Sequence, residues 1–374
     1  MSLITRQLRL AVGRARALAA EPAVRRSINA QHRELRQAHT VLFFSEPPSQ
    51  IYQLQVWLRP FEALAESGAR IGIVVMNALT ARQLLQMTGL PVFFSRSMEQ
   101  VEQRLAKAGT RTICYVNNAQ GNFTMLRMNG PLHVHLNHGE SEKISMVSNQ
   151  LKAYDRVAVA GPAAVERIAA HIPRFDPAAL VPIGRPQLDG ITRTTGLRRL
   201  RVLYAPTWEG DSKAMGYSSL ETHGAQLLEA LAGDERIELR FRPHPKTGDT
   251  SAPVGKLLAG LRREYAAHLD PVADPGQSLA ESDVAICDIS AMAYDAIALN
   301  VPLLAVGSQD CELTRRLPAD QLLGSAAAGQ DLAERVLELG RAGSAGQQEL
   351  ASYFFATTTP GQATELLRRL VCGS

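Results

Sequence analysis

Cysteine is scarce: Cys114, Cys287, Cys311 and Cys372 are the only four in 374 residues, far apart and without metal-ligand spacing. That excludes a disulfide framework and a zinc cluster. Two of the four fall inside expected strands, which points to a reducing, cytoplasmic setting. Aromatic residues make up only 5% of the chain, and the net charge is only +4. A general nucleic-acid binder needs a basic surface with interleaved aromatics, so nucleic acid is not an expected partner. No run of about 18 uninterrupted apolar residues occurs, so no transmembrane helix is expected.

What the chain does have is an ordinary balance, 45% hydrophobic and 20% charged, enough for two domains with real cores. Much of its basic excess lies in residues 1–38, where Arg6, Arg9, Arg14, Arg16, Arg25, Arg26, Arg33 and Arg36 face only Glu21 and Glu34. Over Leu3 to Ala19 the pattern predicts an amphipathic helix with Ile4, Leu8, Ala11, Val12, Ala15, Leu18 and Ala19 on one face. Such a helix either packs on its own domain or lies on an anionic membrane surface, here the inner face of the plasma membrane. Arg14 and Arg16 interrupt the apolar stretch that a secretory signal would need.

From His39 onward strands and helices alternate. Strands are expected at 41–45, 70–76, 91–95, 111–116, 133–136 and 156–161, with helices at 52–66, 78–87, 98–108 and 143–154 between most of them. This alternation predicts a parallel sheet covered on both faces. The Pro- and Gly-rich stretch from Val181 to Asp189 reads as a linker, and a second alternation follows, with strands expected at 201–206, 237–245, 283–288 and 301–306. The expected fold class is α/β with two Rossmann-like lobes and a cleft between them. The expected units are 39–185, 196–356 and a C-terminal helix over 357–374.

Three polar clusters sit where strands end. In the first, His138 and Gly139 follow a strand, with Glu140, Glu142 and Lys143 opening the next expected helix. The glycine admits a close backbone approach, and the imidazole can take a proton near neutral pH. In the second, Arg240, Arg242, His244 and Lys246 alternate through RFRPHPK. Period-two spacing on an extended segment puts them on one side, where they suit a diphosphate. In the third, Asp288, Ser290 and Asp295 surround the start of a helix, with Ser290 as the expected N-cap and free N–H groups for an anion. The long loop from Ala205 to Gly224 carries Thr207, Trp208 and Glu209 at its root, placed to shape an acceptor pocket with Lys143.

The order His138-Gly139, then GRPQLD, YAPTW, RPHP and CDIS with a following aspartate resembles the CDP-glycerol glycerophosphotransferase family, of teichoic-acid polymerase and primase type. The resemblance spans Leu136 to Gly307. It implies a GT-B fold whose second lobe holds the donor nucleotide and whose C-terminal helix returns to the first. It also implies transfer of a polyol-phosphate unit from a CDP-linked donor to a glycan or lipid-linked acceptor. His138 would be the catalytic general base or the acceptor-positioning residue, and His244, the second catalytic residue, would neutralise the donor diphosphate together with Arg242. Gly139, Arg242, Lys246, Asp288, Ser290 and Asp295 would surround the donor diphosphate. No cofactor or protein-bound metal is expected, and a Mg²⁺ loosely held by the donor is compatible with that. A nucleotide-sugar glycosyltransferase and a non-catalytic nucleotide-binding or assembly protein are the alternatives.

Overall fold

The computed structural model describes residues 3–143, 146–194, 198–210, 216–307, 310–324, 331–344 and 347–373. The first lobe holds strands β1 (Thr40–Phe44), β2 (Ile71–Val75), β3 (Val92–Phe94), β4 (Thr112–Tyr115), β5 (Leu132–His135), β6 (Arg156–Val159) and β7 (Leu180–Pro182). Its helices are α1 (Leu3–Ala30), α2 (Tyr52–Glu66), α3 (Ala78–Leu84), α4 (Met98–Ala108), α5 (Gln120–Met125) and α6 (Pro162–His171). All neighbouring strands are parallel, in the order β3-β2-β1-β4-β5-β6-β7. Alternate residues of β1 serve opposite faces: Leu42 and Phe44 pack with Trp57 and Phe61 of α2, while Val41 and Phe43 pack with Leu105 of α4. A sheet buried on both faces explains why its strands read as continuous apolar runs.

The second lobe holds β8 (Leu200–Ala205), β9 (Ile237–Phe241), β10 (Val284–Asp288), β11 (Leu303–Val306) and β12 (Leu322–Leu323). Its helices are α7 (Gly224–Ala232), α8 (Ala252–Glu264), α9 (Pro275–Ala280), α10 (Ala291–Ala298), α11 (Glu312–Arg316), α12 (Leu332–Ala342) and α13 (Gln347–Phe354), before α14 (Gln362–Cys372) closes the chain. The order β12-β11-β10-β8-β9 is again parallel throughout. Strand order reverses between β1 and β4 in the first sheet and between β8 and β10 in the second, and ligands of such sheets bind at those crevices.

After α13 the chain crosses back, and Leu367 and Val371 of α14 enter the first lobe's core while the Thr40 hydroxyl donates to the Val371 carbonyl at 2.7 Å. The crossing needs Gly161, because a Cβ there would lie 2.5 Å from the Phe355 carbonyl carbon and 2.6 Å from the Ala356 nitrogen.

Three expectations are corrected. Helix α1 does not stop at Ala19 but runs through Pro22 to Ala30, and it packs by Val24 and Ile28. Of the expected apolar stripe, Val12 (44% exposed), Ala15, Leu18 (47%) and Ala19 lie on the solvent side; the side chains of Ile4, Leu8 and Ala11 fall outside the described residues. The helix expected over 143–154 does not form. Its described part is loop plus one 3₁₀ turn at Asn149–Ala153, in a stretch whose short polar residues Ser141, Ser148 and Asn149 compete with helical hydrogen bonds. The linker reading absorbed β7, which continues the first sheet. Among the described residues no helix is long and apolar enough to cross a membrane.

Candidate active site

The carboxyl edges of the two sheets face each other, and side chains meet across the cleft. Asn137, just past β5, adopts a left-handed conformation (φ 58°). Its side chain accepts the His138 N–H at 2.8 Å, and its carbonyl accepts the indole N–H of Trp57 at 2.5 Å. Asparagine tolerates this backbone better than most residues. The turn presents His138 beside Tyr52, the first residue of α2, whose ring lies edge-on at 6.0 Å from His138 and at 5.6 Å from His244 of the opposite lobe.

The two imidazoles are held in opposite tautomers. His138 Nδ1 lies 3.3 Å from the Val116 carbonyl, which can only accept. Nδ1 therefore carries the proton and Nε2 is the basic nitrogen. His244 Nδ1 accepts the Lys246 backbone N–H at 3.1 Å, so its proton sits on Nε2. Burial pushes His138 down to about 4 and His244 down to about 3, with nearby lysines adding to both shifts. Both rings are neutral at pH 7.

Cations gather on the second lobe's side. Lys246 Nζ lies 4.3 Å from the centre of the Trp208 ring, and that ring stacks on His244 at 6.3 Å. Lys143 reaches across from the first lobe to donate to the Thr207 hydroxyl at 2.9 Å, and burial lowers it to about 8 against the pull of Asp288. Ser290 stands at the N-cap of α10, yet its hydroxyl makes no cap bond. The Oγ is buried and without a partner. An unpartnered hydroxyl beside the free N–H groups of a helix start is a ready anion contact.

Other expected site residues have different work. Arg242 is turned away from the cleft: it donates to Asp270 at 2.6 Å and to the carbonyls of Val272 and Ala273. Arg240 pairs with Glu238 and Glu281. The predicted one-sided alternation fails because β9 ends at Phe241 and the prolines turn the chain, so only His244 and Lys246 reach the cleft. Asp288 accepts the N–H groups of Thr207 at 2.7 Å and Ser219 at 3.1 Å, stitching the β8 loop to β10. Burial raises it to about 6. Its carboxylate organises the crevice and offers nothing to a phosphate. Asp295 makes a two-pronged pair with Arg185, at 2.7 and 2.9 Å, with both side chains buried. Glu209 caps the turn at Gly248, Thr250 and Ser251, whose N–H groups it accepts. Gly139 brings backbone close to the opposite lobe: a Cβ on it would stand 2.9 Å from that of Ala291. For Arg242→Ala we expect a loss of about 1–3 kcal/mol in stability, with nucleotide affinity unchanged by calorimetry below the melting transition.

Sequence reasoning missed Tyr52 and gave no role to Arg185, inside the GRPQLD motif, or to Glu142, in the cluster after His138. Tyr52 had a signal, since it opens the helix after β1 at a crevice. Glu142 accepts the Tyr294 hydroxyl and the N–H groups of Glu312 and Leu313, joining the lobes. Only the fold brings these groups together.

No family model matches the chain, and no curated protein matches it by sequence. Solved structures do match in shape. A variant of the wall teichoic acid polymerase TagF superposes with a TM-score of 0.58 at 13% identity, over 98% of this chain and 97% of that one. A putative UDP-N-acetylglucosamine 2-epimerase from Listeria monocytogenes gives 0.55 at 13% identity, over 89% and 95%. The S. aureus MnaA–UDP co-structure gives 0.54 at 10% identity, over 90% and 98%. The chain has the α/β GT-B fold, shared with TagF along almost its whole length.

Proposed function

We propose that the protein is a transferase that moves a glycerol-phosphate or related polyol-phosphate unit from a CDP-linked donor to an acceptor hydroxyl of a cell-envelope glycan. The observation that carries this reading is the pair of half-buried histidines in opposite tautomers across the cleft, both held neutral at pH 7 by desolvation and nearby cations. One is a base and the other a hydrogen-bond donor, as in-line transfer requires. The acceptor oxygen attacks the distal phosphorus of the donor and forms the new O–P bond. The bond from that phosphorus to the bridging oxygen breaks, and the oxygen leaves with CMP. His138 Nε2 takes the hydroxyl proton. His244 Nε2–H donates to a phosphate oxygen, and Lys143, Lys246 and the start of α10 with Ser290 balance the charge that builds on CMP.

A nucleotide sugar would find the same cations, and one solved neighbour is a UDP co-structure. The ordered motifs from His138 to Ser290 and the TagF likeness over 98% of the chain support the cytidine reading. Calorimetric titration with CDP-glycerol, CDP-ribitol, UDP-glucose, UDP-N-acetylglucosamine, CMP and UMP decides between them. Cytidine ligands are expected to bind, and Lys246→Ala to weaken them about tenfold, the equivalent of about 1.4 kcal/mol. Preference for a uridine sugar overturns the donor assignment, and no nucleotide binding overturns the function.

A further inference from the structure

The charge on the two sides of the cleft is unequal. Against the second lobe stand Lys143, Lys246, His244 and the start of α10. On the first lobe, the four residues that follow each of β1, β2, β4 and β5 include no lysine or arginine and one carboxylate, Glu46. Arg96, past β3, is tied to Glu21 of α1 at 2.7 Å, Arg185, past β7, is paired with Asp295 at 2.7 Å, and Arg59 of α2 is spent on the Gln187 carbonyl.

The crevice where the first sheet reverses lies between β1 and β4, one strand from the His138 turn. Two strand spacings, about 10 Å, separate β1 from β5. An acceptor with its reacting hydroxyl at His138 and its remainder in that crevice would extend over the ends of β4 and β1. Amides and hydroxyls line that path. Asn117 donates to the Gln53 side chain at 2.7 Å, and Gln53 donates to the Tyr52 hydroxyl at 3.3 Å. Ser45 lies beside Glu46, and Asn118 Oδ1 is buried with no donor. Carboxylates and amide oxygens accept hydrogen bonds from hydroxyls, and they repel phosphodiester oxygens, which need guanidinium or ammonium partners.

Building on the transferase reading, we infer that the acceptor is a neutral, hydroxyl-rich sugar or polyol end and not a phosphate-bearing chain. The polyol-phosphate unit is then added as the first charged unit on an uncharged acceptor, and the product must be consumed by a different site if a longer phosphodiester chain is built.

The test measures CMP release from CDP-glycerol by the full chain with two acceptor sets: neutral alkyl glucosides, alkyl N-acetylglucosaminides and free polyols, or glycerol-phosphate oligomers. We expect neutral acceptors to be used with a kcat/KM at least about tenfold higher, a difference of about 1.4 kcal/mol. Glu46→Lys should lower KM for the phosphate oligomers by about tenfold without changing nucleotide affinity. Asn118→Ala should raise KM for neutral acceptors at constant kcat, and thermal melting of both variants shows whether they fold. Faster transfer to glycerol-phosphate oligomers overturns the inference and leaves the donor reading standing. CMP release with neither set, while cytidine nucleotide still binds, also overturns it. Failure to bind any nucleotide overturns the transferase reading itself, and the inference falls with it.

Discussion

Replacing His138 with glutamine is expected to lower kcat by about 10²- to 10⁴-fold and leave cytidine-nucleotide affinity within about twofold. His244→Gln is expected to keep activity within about tenfold, while His244→Ala loses more. The asymmetry follows from the tautomers. A glutamine amide can donate from near the position of His244 Nε2, but it cannot accept a proton as His138 Nε2 does. Equal losses in the two glutamine variants would contradict the assigned roles. A non-catalytic nucleotide-binding or assembly protein would show no transfer in either form and would keep its function intact in His138→Ala.

The pH profile tests the same assignment independently. A base must be neutral, so kcat/KM rises as pH passes upward through the His138 value of about 4. Lys143 must be charged, so activity falls above its value of about 8. Between these lies a plateau. Lys143→Gln is expected to lower the rate and abolish the alkaline limb. Stability responds with a definite sign. The depressed imidazole values of His135, His138 and His244 mean that the unfolded chain binds protons in acid before the native state does. Their stabilising effect is complete above the ordinary histidine range and is lost as pH falls toward about 4 for His138 and about 3 for His135 and His244, at up to about 1.4 kcal/mol per pH unit for each group. Asp288, raised to about 6, opposes this, because its native carboxyl takes up a proton before its unfolded counterpart.

The sequence was most legible where a local rule acts alone. Apolar runs bounded by turns located β1 to β6 and β8 to β11, because buried parallel strands need continuous hydrophobicity. His138 and His244 were legible because each follows a strand directly, and strand ends of such sheets face the cleft. The protein partners of Arg242 and Asp295 were not legible for a shared reason: a charged group near a helix start or a strand end looks the same in sequence whether it serves a ligand or a buried partner. Their partners Asp270 and Arg185 lie 28 and 110 residues away. Glu142 was unreadable for the same reason, since its partners in α10 and α11 are 152 to 171 residues distant. Strand β7 was hidden by its length, at three residues ending in proline.

Asp295→Ala is expected to destabilise the protein by about 3–5 kcal/mol, more than any substitution on the cleft's exposed rim. Arg185 lies in the segment that leads out of the first sheet, and Asp295 lies in α10 of the second lobe. Both side chains are only about one-tenth exposed: 9% for Arg185 and 10% for Asp295. Two parallel N–H···O bonds satisfy them together. Removing the carboxylate strands a guanidinium away from water, and the loss reflects that orphaned charge more than the pair's own net worth. The double variant Arg185→Met with Asp295→Leu removes both charges and is expected to recover most of the loss. Denaturant unfolding of the two variants measures this directly. Were Asp295 a donor ligand, the single variant would instead lose nucleotide affinity with stability intact, and the double variant would recover nothing. Asp295→Ala is also expected to lower kcat in the folded fraction, because His138 and His244 sit on opposite lobes and the Arg185–Asp295 pair is one of the contacts that join those lobes.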